Sequence, residues 1–194
     1  MTEKIDYTKI KLVFFDIDGT FVDDDKKISP ETNVVMDELI AKGIKLIPCT
    51  GRGFGGVSCY PEVLEKSDYA ICYDGGLVFN NSTDKDAFLI RKLVIEDDIF
   101  KKLKVIIPQE EITIIMFCNN DMYHTDNATP EEIDGLSIWG SNPISIKFED
   151  IDKLEEIQLL LMYGKEKIIE DFHEILEKDF SEELNIIKYD SDRM

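Results

Sequence analysis

Hydrophobic residues in the N-terminal part of the chain fall into three short runs, each followed by turn residues. The runs are Leu12–Phe15, Ile44–Cys49 and Tyr69–Tyr73. Short apolar runs bounded in this way indicate strands of a parallel sheet, and the first is predicted to be buried on both faces. The central part of an α/β sheet is therefore expected here.

A helix is predicted between the first two strands. Ser29 is a suitable N-cap, Pro30 suits the first helical position, and Gly43 ends the helix. Its expected apolar face is formed by Val35, Leu39 and Ile40. A strand–helix–strand unit of this kind predicts parallel pairing with a right-handed connection.

The pattern changes from Leu77 onward and becomes typical of an antiparallel α+β region. Residues 128–150 give no clear assignment. The predicted elements are a hairpin of Leu77–Phe79 with Ala87–Ile90, helices Glu96–Ile107 and Lys165–Lys178, and strands Ile112–Cys118, Met122–Thr125, Glu156–Tyr163 and Leu184–Tyr189.

Charge limits the classes of partner. The 194 residues include 22 basic and 41 acidic side chains, a formal charge of −19, with 43% hydrophobic residues. A length of 194 residues is enough for one large or two small domains. Such an acidic surface repels nucleic acid and anionic lipid, so neither is an expected partner, whereas a small phosphorylated substrate held by a local positive site remains compatible.

The four cysteines and the N-terminal segment indicate the cellular compartment of the protein. Cys49, Cys59, Cys72 and Cys118 form no Cys-x-x-Cys pair, which favours buried, inert thiols in a reducing compartment. Residues 1–7 contain no apolar signal region, and no apolar run reaches membrane-spanning length. We therefore expect a cytoplasmic protein.

Two carboxylates follow the first strand, Asp16 at its end and Asp18 before the turn that Gly19 allows. Close carboxylates repel each other unless a cation lies between them or one is protonated. Mg²⁺ suits such oxygens, and one carboxylate could attack phosphorus while the other moves a proton. A plain surface turn is the alternative; an EF-hand calcium loop is excluded because its twelfth position is Lys27.

Thr50, Gly51 and Arg52 follow the second strand and should lie at the same sheet edge as Asp16. A hydroxyl and a glycine N–H at that edge could bind phosphate oxygens. Two alternatives stay open from the residues alone: Thr50 could cap a helix, and Arg52 could form a surface salt bridge.

Three segments together resemble a known family. Phe15–Thr20 resembles the first motif of the haloacid dehalogenase (HAD) superfamily, and Pro48–Arg52 resembles the second motif in its Thr-Gly-Arg form. Tyr69–Val78 is similar to the Asn-Gly-Ala segment of the Cof-type branch, subfamily IIB, with Asp74 at the position where Asn is usual.

The resemblance implies an α/β fold: a HAD-like Rossmannoid parallel-sheet core, incomplete in this chain, with an inserted α+β cap domain. Residues 1–80 would form the N-terminal part of the core, and 81–194 would form the cap, which selects the substrate. Residues 21–27 would be a flap beside the active site.

The implied function is a Mg²⁺-dependent phosphatase acting on a small phosphate ester, such as a sugar phosphate. Asp16 would be the nucleophile that forms an aspartyl-phosphate, and Asp18 the acid and then the base. Asp16 and the backbone carbonyl of Asp18 would bind the metal. Thr50, Gly51 and Arg52 would bind phosphate.

The family pattern continues beyond what this sequence contains. A phosphate-binding lysine and a Gly-Asp-x-x-Asn-Asp segment would follow the cap, and no such segment occurs. We expect a fragment or a naturally shortened protein, with weak or absent phosphatase activity. We also expect either self-association through the open edge of the Leu12–Phe15 strand or a longer polypeptide.

Two other functions stay open. The chain could be a non-catalytic binding or interaction protein that keeps a HAD fold remnant. A receiver-type phospho-acceptor domain is a weaker third hypothesis, because the Gly-Thr after Asp18 and the long second region argue against it.

Overall fold

A computed structural model describes residues 7–23, 25–80, 89–118, 121–136 and 142–189. The chain divides into two compact units, the first ending at Lys92 and the second beginning at Leu93. The assignment of 1–80 to a core and 81–194 to a cap stays a prediction, and part of the predicted hairpin, Ala87–Phe88, lies outside the described residues.

The first unit begins with the predicted strand–helix–strand arrangement. Strand β1 (Leu12–Phe15) pairs in parallel with β2 (Lys45–Pro48), with Phe15 opposite Pro48. Helix α1 (Pro30–Ala41) connects them; the Ser29 side chain accepts a hydrogen bond from Thr32 N at its start. Gly43, at φ +75°, turns the chain after the helix, because a left-handed backbone suits glycine.

The remaining helices and strands of the first unit follow β2 in the sequence. The elements are α2 (Phe54–Ser58), α3 (Pro61–Glu65), β3 (Tyr69–Cys72), β4 (Leu77–Asn80) and β5 (Leu89–Lys92). The strands β3, β4 and β5 form an antiparallel sheet in that order. Isolated parallel bridges join Leu46 to Ser67 and Cys49 to Ile71, so β3 runs beside β2 and the ends of β1, β2 and β3 share one edge.

Burial in the first unit differs from the prediction. The β1 strand is present, but its burial on both faces is wrong: Leu12 and Phe14 are 45% and 55% exposed. The reason is that β1 pairs only with β2 among the described strands. On α1, Val35 and Ile40 of the predicted apolar face are also exposed, and Met36 is buried instead.

The second unit is built around a four-stranded sheet. Its elements are α4 (Asp97–Ile106), β6 (Ile112–Cys118), β7 (Asp121–Thr125), α5 (Pro130–Gly135), β8 (Ile144–Ile146), β9 (Ile157–Gly164) and α6 (Glu166–Phe180). The strand order is β8-β7-β6-β9, with β7 and β8 parallel and the other pairs antiparallel. The predicted helices and the strands corresponding to β6, β7 and β9 are confirmed.

The core of the second unit lies around β6, all seven residues of which are buried. Helices α4 and α6 contribute their apolar faces to it. The predicted strand Leu184–Tyr189 is wrong: these residues have no regular secondary structure. Instead Leu184 and Ile186 belong to an irregular segment and pack against the core. Their apolar side chains therefore cover the core without forming a strand.

Two further expectations can be compared with the structure. Cys72 and Cys118 are buried as predicted, and burial raises the pKa of the Cys72 thiol to about 12; Cys59, however, is exposed at the end of the short α2. Within the described ranges, no helix combines the length and apolar character that crossing a membrane requires.

Candidate active site

After β1, the carboxylates of Asp16 and Asp18 flank Ile17, whose backbone is held by hydrogen bonds. Ile17 is fully buried, and its carbonyl accepts hydrogen bonds from Phe21 N and Val22 N, both 3.0 Å. Gly19, at φ +70°, allows the chain to turn there. The anchored Ile17 leaves Asp16 exposed, with its Oδ1 accepting a hydrogen bond from Ile17 N at 2.8 Å.

Backbone pairing brings the end of β2 to the same edge. Cys49 N donates to Phe15 O at 2.8 Å, and Thr50 N donates to Ile71 O at 3.0 Å. Thr50 is buried, and its Oγ1 accepts a hydrogen bond from Arg52 N at 3.1 Å. The hydroxyl therefore closes the local turn while its own hydrogen remains able to donate, with Gly51 next to it at the edge.

Arg52 lies against Asp18, which sequence reasoning did not foresee. Its Nε donates to Asp18 Oδ2 at 2.6 Å and its Nη2 to Asp18 Oδ1 at 2.7 Å, a bidentate pair. The Arg52 side chain is only 6% exposed and lies over the Tyr60 ring at 5.5 Å. An added Cβ on Gly56 would lie 3.0 Å from Arg52 Cβ, so the glycine gives the arginine room.

Of the open alternative for Arg52, a surface salt bridge, the ion pair is present with Asp18, but the guanidinium is buried and not at the surface. Its predicted role in phosphate binding stays a prediction. Burial alone would lower the pKa of Arg52, but the hydrogen bonds and negative charge of Asp18 outweigh that effect and raise it.

Asp18 is held as an anion by two cations. The hydrogen bonds from Arg52 lower the pKa of the Asp18 carboxyl to about 2, against the opposing effect of partial burial. Lys26 adds to this, with Nζ 2.7 Å from Asp18 Oδ1. In this arrangement both carboxylate oxygens accept hydrogen bonds, and Asp18 carries no proton at neutral pH.

A strained turn after β3 completes the edge. Tyr73, Asp74 and Gly75 all have positive φ, at 49°, 49° and 98°. Asp74 N donates to Thr50 O at 3.3 Å, and Asp74 Oδ1 lies 3.4 Å from where a Cβ on Gly51 would be. A third carboxylate therefore lies beside the Thr50–Gly51 turn.

Two oxygen atoms at the end of β1 are of the type that binds a hard cation such as Mg²⁺. Among the described residues no group of three or more His, Cys, Asp or Glu side chains could hold a metal. Within the same residues, Asp16 Oδ2 and the Asp18 carbonyl oxygen accept no hydrogen bond. One carboxylate and one carbonyl suit Mg²⁺, which usually keeps several waters, whereas the Asp18 carboxylate is already engaged.

Comparison with known proteins identifies the family. A sequence profile described as haloacid dehalogenase-like hydrolase matches residues 13–193. The chain belongs to the haloacid dehalogenase-like hydrolases.

Named relatives are similar over part of their length. The chain is 37% identical over 78 residues to the candidate phosphatase YxeH of Bacillus subtilis (strain 168), covering 39% of this chain and 29% of that protein. It is 30% identical over 117 residues to a candidate phosphatase of Haemophilus influenzae (strain ATCC 51907 / DSM 11121 / KW20 / Rd), covering 60% and 43%. These matches thus span less than half the length of the relatives.

Solved structures share the fold. A haloacid dehalogenase-like hydrolase from Bacteroides thetaiotaomicron has a TM-score of 0.79 at 17% identity, covering 95% of this chain and 70% of that one. The HAD subclass IIB sugar phosphatase BT4131 has a TM-score of 0.75 at 18% identity, covering 94% and 68%. The predicted fold class, a HAD-like α/β sheet with a further α+β region, is confirmed.

Proposed function

We propose that this chain carries the nucleophile side of a phosphatase site that acts on a small phosphate ester, such as a sugar phosphate. The observation that supports it most is the shared sheet edge. The parallel register of β1 and β2 brings the exposed Asp16 next to the Thr50–Gly51 turn. A carboxylate and phosphate-binding groups are thereby side by side, as phosphoryl transfer requires.

The proposed reaction begins at Asp16. One of its carboxylate oxygens attacks phosphorus, an O–P bond forms to give an aspartyl-phosphate, and the bond from phosphorus to the ester oxygen breaks. The Thr50 hydroxyl and the Gly51 N–H hold the phosphate oxygens during this exchange. Water then attacks the aspartyl-phosphate, which releases phosphate and restores Asp16.

Asp18 is the proposed proton carrier, giving a proton to the departing ester oxygen and taking one from the attacking water. The pair with Arg52 opposes the first of these steps, because it favours the ionised carboxylate. The acid role therefore requires that substrate binding weakens the cationic contacts of Asp18, of which the hydrogen bond from the exposed Lys26 is the more easily lost. Until then, Asp18 holds Arg52 in place at the edge of the site.

Mg²⁺ is the proposed cofactor, with the Asp16 carboxylate and the Asp18 carbonyl as its protein ligands. When bound, it would neutralise charge on the phosphate. Two protein ligands of which one is charged give weak affinity, so we propose weak activity for the 194-residue chain.

The test is hydrolysis of a panel of phosphate esters with and without Mg²⁺, for the native chain and for Asp16→Asn. We expect low Mg²⁺-dependent turnover that Asp16→Asn abolishes. Asp37→Asn is the matched control, because Asp37 lies on α1 in an ion pair with Lys66. Equal turnover in the Asp16→Asn variant would contradict the proposal.

A non-catalytic phosphate-binding protein is the second candidate function. It is favoured by the engagement of both Asp18 oxygens, which leaves the carboxyl ionised. Titration with Mg²⁺ and tungstate, a phosphate mimic, distinguishes it from the first candidate when combined with the turnover assay. Binding of both without any hydrolysis would identify a binding protein.

The surroundings of the site complete the proposal. The exposed Leu12 and Phe14 on β1 would be covered by a second copy of the chain or by further polypeptide, since an open apolar strand edge favours pairing. A reducing, cytoplasmic location is proposed because all four cysteines are free thiols.

A further inference from the structure

We propose that Lys26 is the residue that offers a positive charge to the phosphate group of the substrate, an inference that rests on the proposed function. Lys26 Nζ lies 2.7 Å from Asp18 Oδ1 and so reaches the same edge as Asp16. From the sequence alone, Lys26 is one charged residue of segment 21–27, which the family resemblance places beside the active site without assigning this lysine a role.

Charge balance calls for such a residue. The whole chain has a formal charge of −19, which repels a phosphate dianion at a distance. At the edge, the three carboxylates of Asp16, Asp18 and Asp74 outnumber the two cations Arg52 and Lys26. Even with Mg²⁺ bound, a phosphate dianion at this edge is favoured by a side-chain cation that turns toward it.

The two cations differ in their freedom to do so. Arg52 is buried, uses two nitrogens on Asp18 and fills the space beside Gly56 and Tyr60. Lys26 is 46% exposed, and within the described part of the chain its Nζ makes a single hydrogen bond. Asp18 keeps its bidentate partner if Lys26 moves, so Lys26 can leave Asp18 for a phosphate oxygen.

The loop around Lys26 is built to present it. Asp23 N donates to Lys27 O and Lys26 N donates to Asp23 O, at 3.0 and 2.9 Å. Lys27 N also donates to Asp23 Oδ1 at 2.8 Å. Lys26 itself has φ +60°, a left-handed backbone that a lysine rarely adopts. Asp23 therefore holds the turn that directs the Lys26 side chain to the site.

The test measures binding of inorganic phosphate, in the presence of Mg²⁺, to the 194-residue chain by calorimetry. We expect Lys26→Asn to weaken binding about 10-fold to 100-fold, the range for a charge-assisted hydrogen bond. Asparagine is chosen because it tolerates a left-handed backbone, and Lys26→Gly is a second neutral variant if the first does not fold. Lys26→Arg should retain most of the affinity.

Lys27→Asn is the matched control, since it removes the same charge from the same loop but Lys27 pairs with the exposed Asp25. It should bind phosphate as the native chain does. For any ester that is hydrolysed, Lys26→Asn should raise KM more than it lowers kcat, whereas a purely structural lysine would lower the thermal midpoint instead.

The outcomes separate this inference from the proposed function. Native affinity in Lys26→Asn, an equal loss in Lys27→Asn, or no phosphate binding by the native chain would each overturn the role of Lys26. Phosphate binding that depends on Lys26 without turnover of any ester would keep this role and overturn the phosphatase proposal.

Discussion

Strands β1 and β6 are both mainly apolar, yet their surroundings are opposite. In the second unit, β6 lies between β7 and β9 and every residue is buried. In the first unit, β1 pairs with β2 alone among the described strands, and alternate residues are exposed. The candidate site thus lies at the end of an open-edged strand, whereas the second unit has a complete core of its own.

The candidate site residues and the apolar core around β6 lie in different units. The functional candidates all lie in the first unit: Asp16, Asp18, Lys26, Thr50, Gly51 and Arg52. The candidate residues are positioned by the ends of the short strands, by turns and by the ion pairs of Asp18. The second unit contains a contiguous apolar core of its own.

The largest expected effect is on the free energy of unfolding, when one phenylalanine on each strand is replaced by alanine. Phe117 on β6 is 2% exposed and Phe14 on β1 is 55% exposed. Phe117→Ala should lower the free energy of unfolding by about 3–5 kcal/mol, because it leaves a cavity. Phe14→Ala should cost less than about 1 kcal/mol, since most of its ring is already in water.

Urea unfolding followed by tyrosine and tryptophan fluorescence and by circular dichroism would measure both variants. Similar losses for Phe14→Ala and Phe117→Ala would mean that β1 is covered as well as β6 is. The contrast between the two units would then be wrong.

A smaller effect is expected on association. If the β1 edge pairs with a second copy, Phe14→Lys should weaken self-association by about tenfold or more, because it puts a charge on an apolar edge. Val105→Lys is the control, since Val105 is an exposed apolar residue on α4 in the second unit. Light scattering over a concentration series measures both, and a monomeric native chain would contradict self-association.

The smallest expected effect is on pH dependence. The folded-state pKa of Asp18 is about 2, below its ordinary value of 3.8. The pair with Arg52 therefore stabilises the fold above about pH 4, and this contribution is lost as the pH falls toward 2. It amounts to about 1 kcal/mol or less, because Asp18 is partly exposed.

The measurement compares the native chain with Asp18→Asn by urea unfolding at about pH 6 and about pH 3. The stability difference between them should shrink at the lower pH. Asp68→Asn, which removes an exposed partner of Lys45, is the control and should show a smaller change. A difference that grows on acidification would contradict the assignment of Asp18 as a stabilised anion.

Much of the first unit could be predicted because the decisive signals are local. Apolar runs followed by Asp16 and Thr50 predict parallel strands whose ends share an edge, and the structure has β1 and β2 in that arrangement. The pairing of Arg52 with Asp18 could not be predicted, because it joins residues 34 positions apart through side-chain geometry.

Burial was the least predictable property. The sequence of β1 is that of a buried strand, but burial depends on which other strands lie beside it. Leu184–Tyr189 shows the same limit, because apolar residues can pack on a core without joining a sheet.

The most direct test of the account is covalent phosphorylation of Asp16. The native chain would be incubated with Mg²⁺ and p-nitrophenyl phosphate, quenched with acid, and digested for mass spectrometry. We predict the added mass of one phosphoryl group on the peptide containing Asp16, sensitive to hydroxylamine and absent from Asp16→Asn. Hydrolysis of the ester with no such adduct, or an adduct that persists in Asp16→Asn, would contradict Asp16 as the nucleophile.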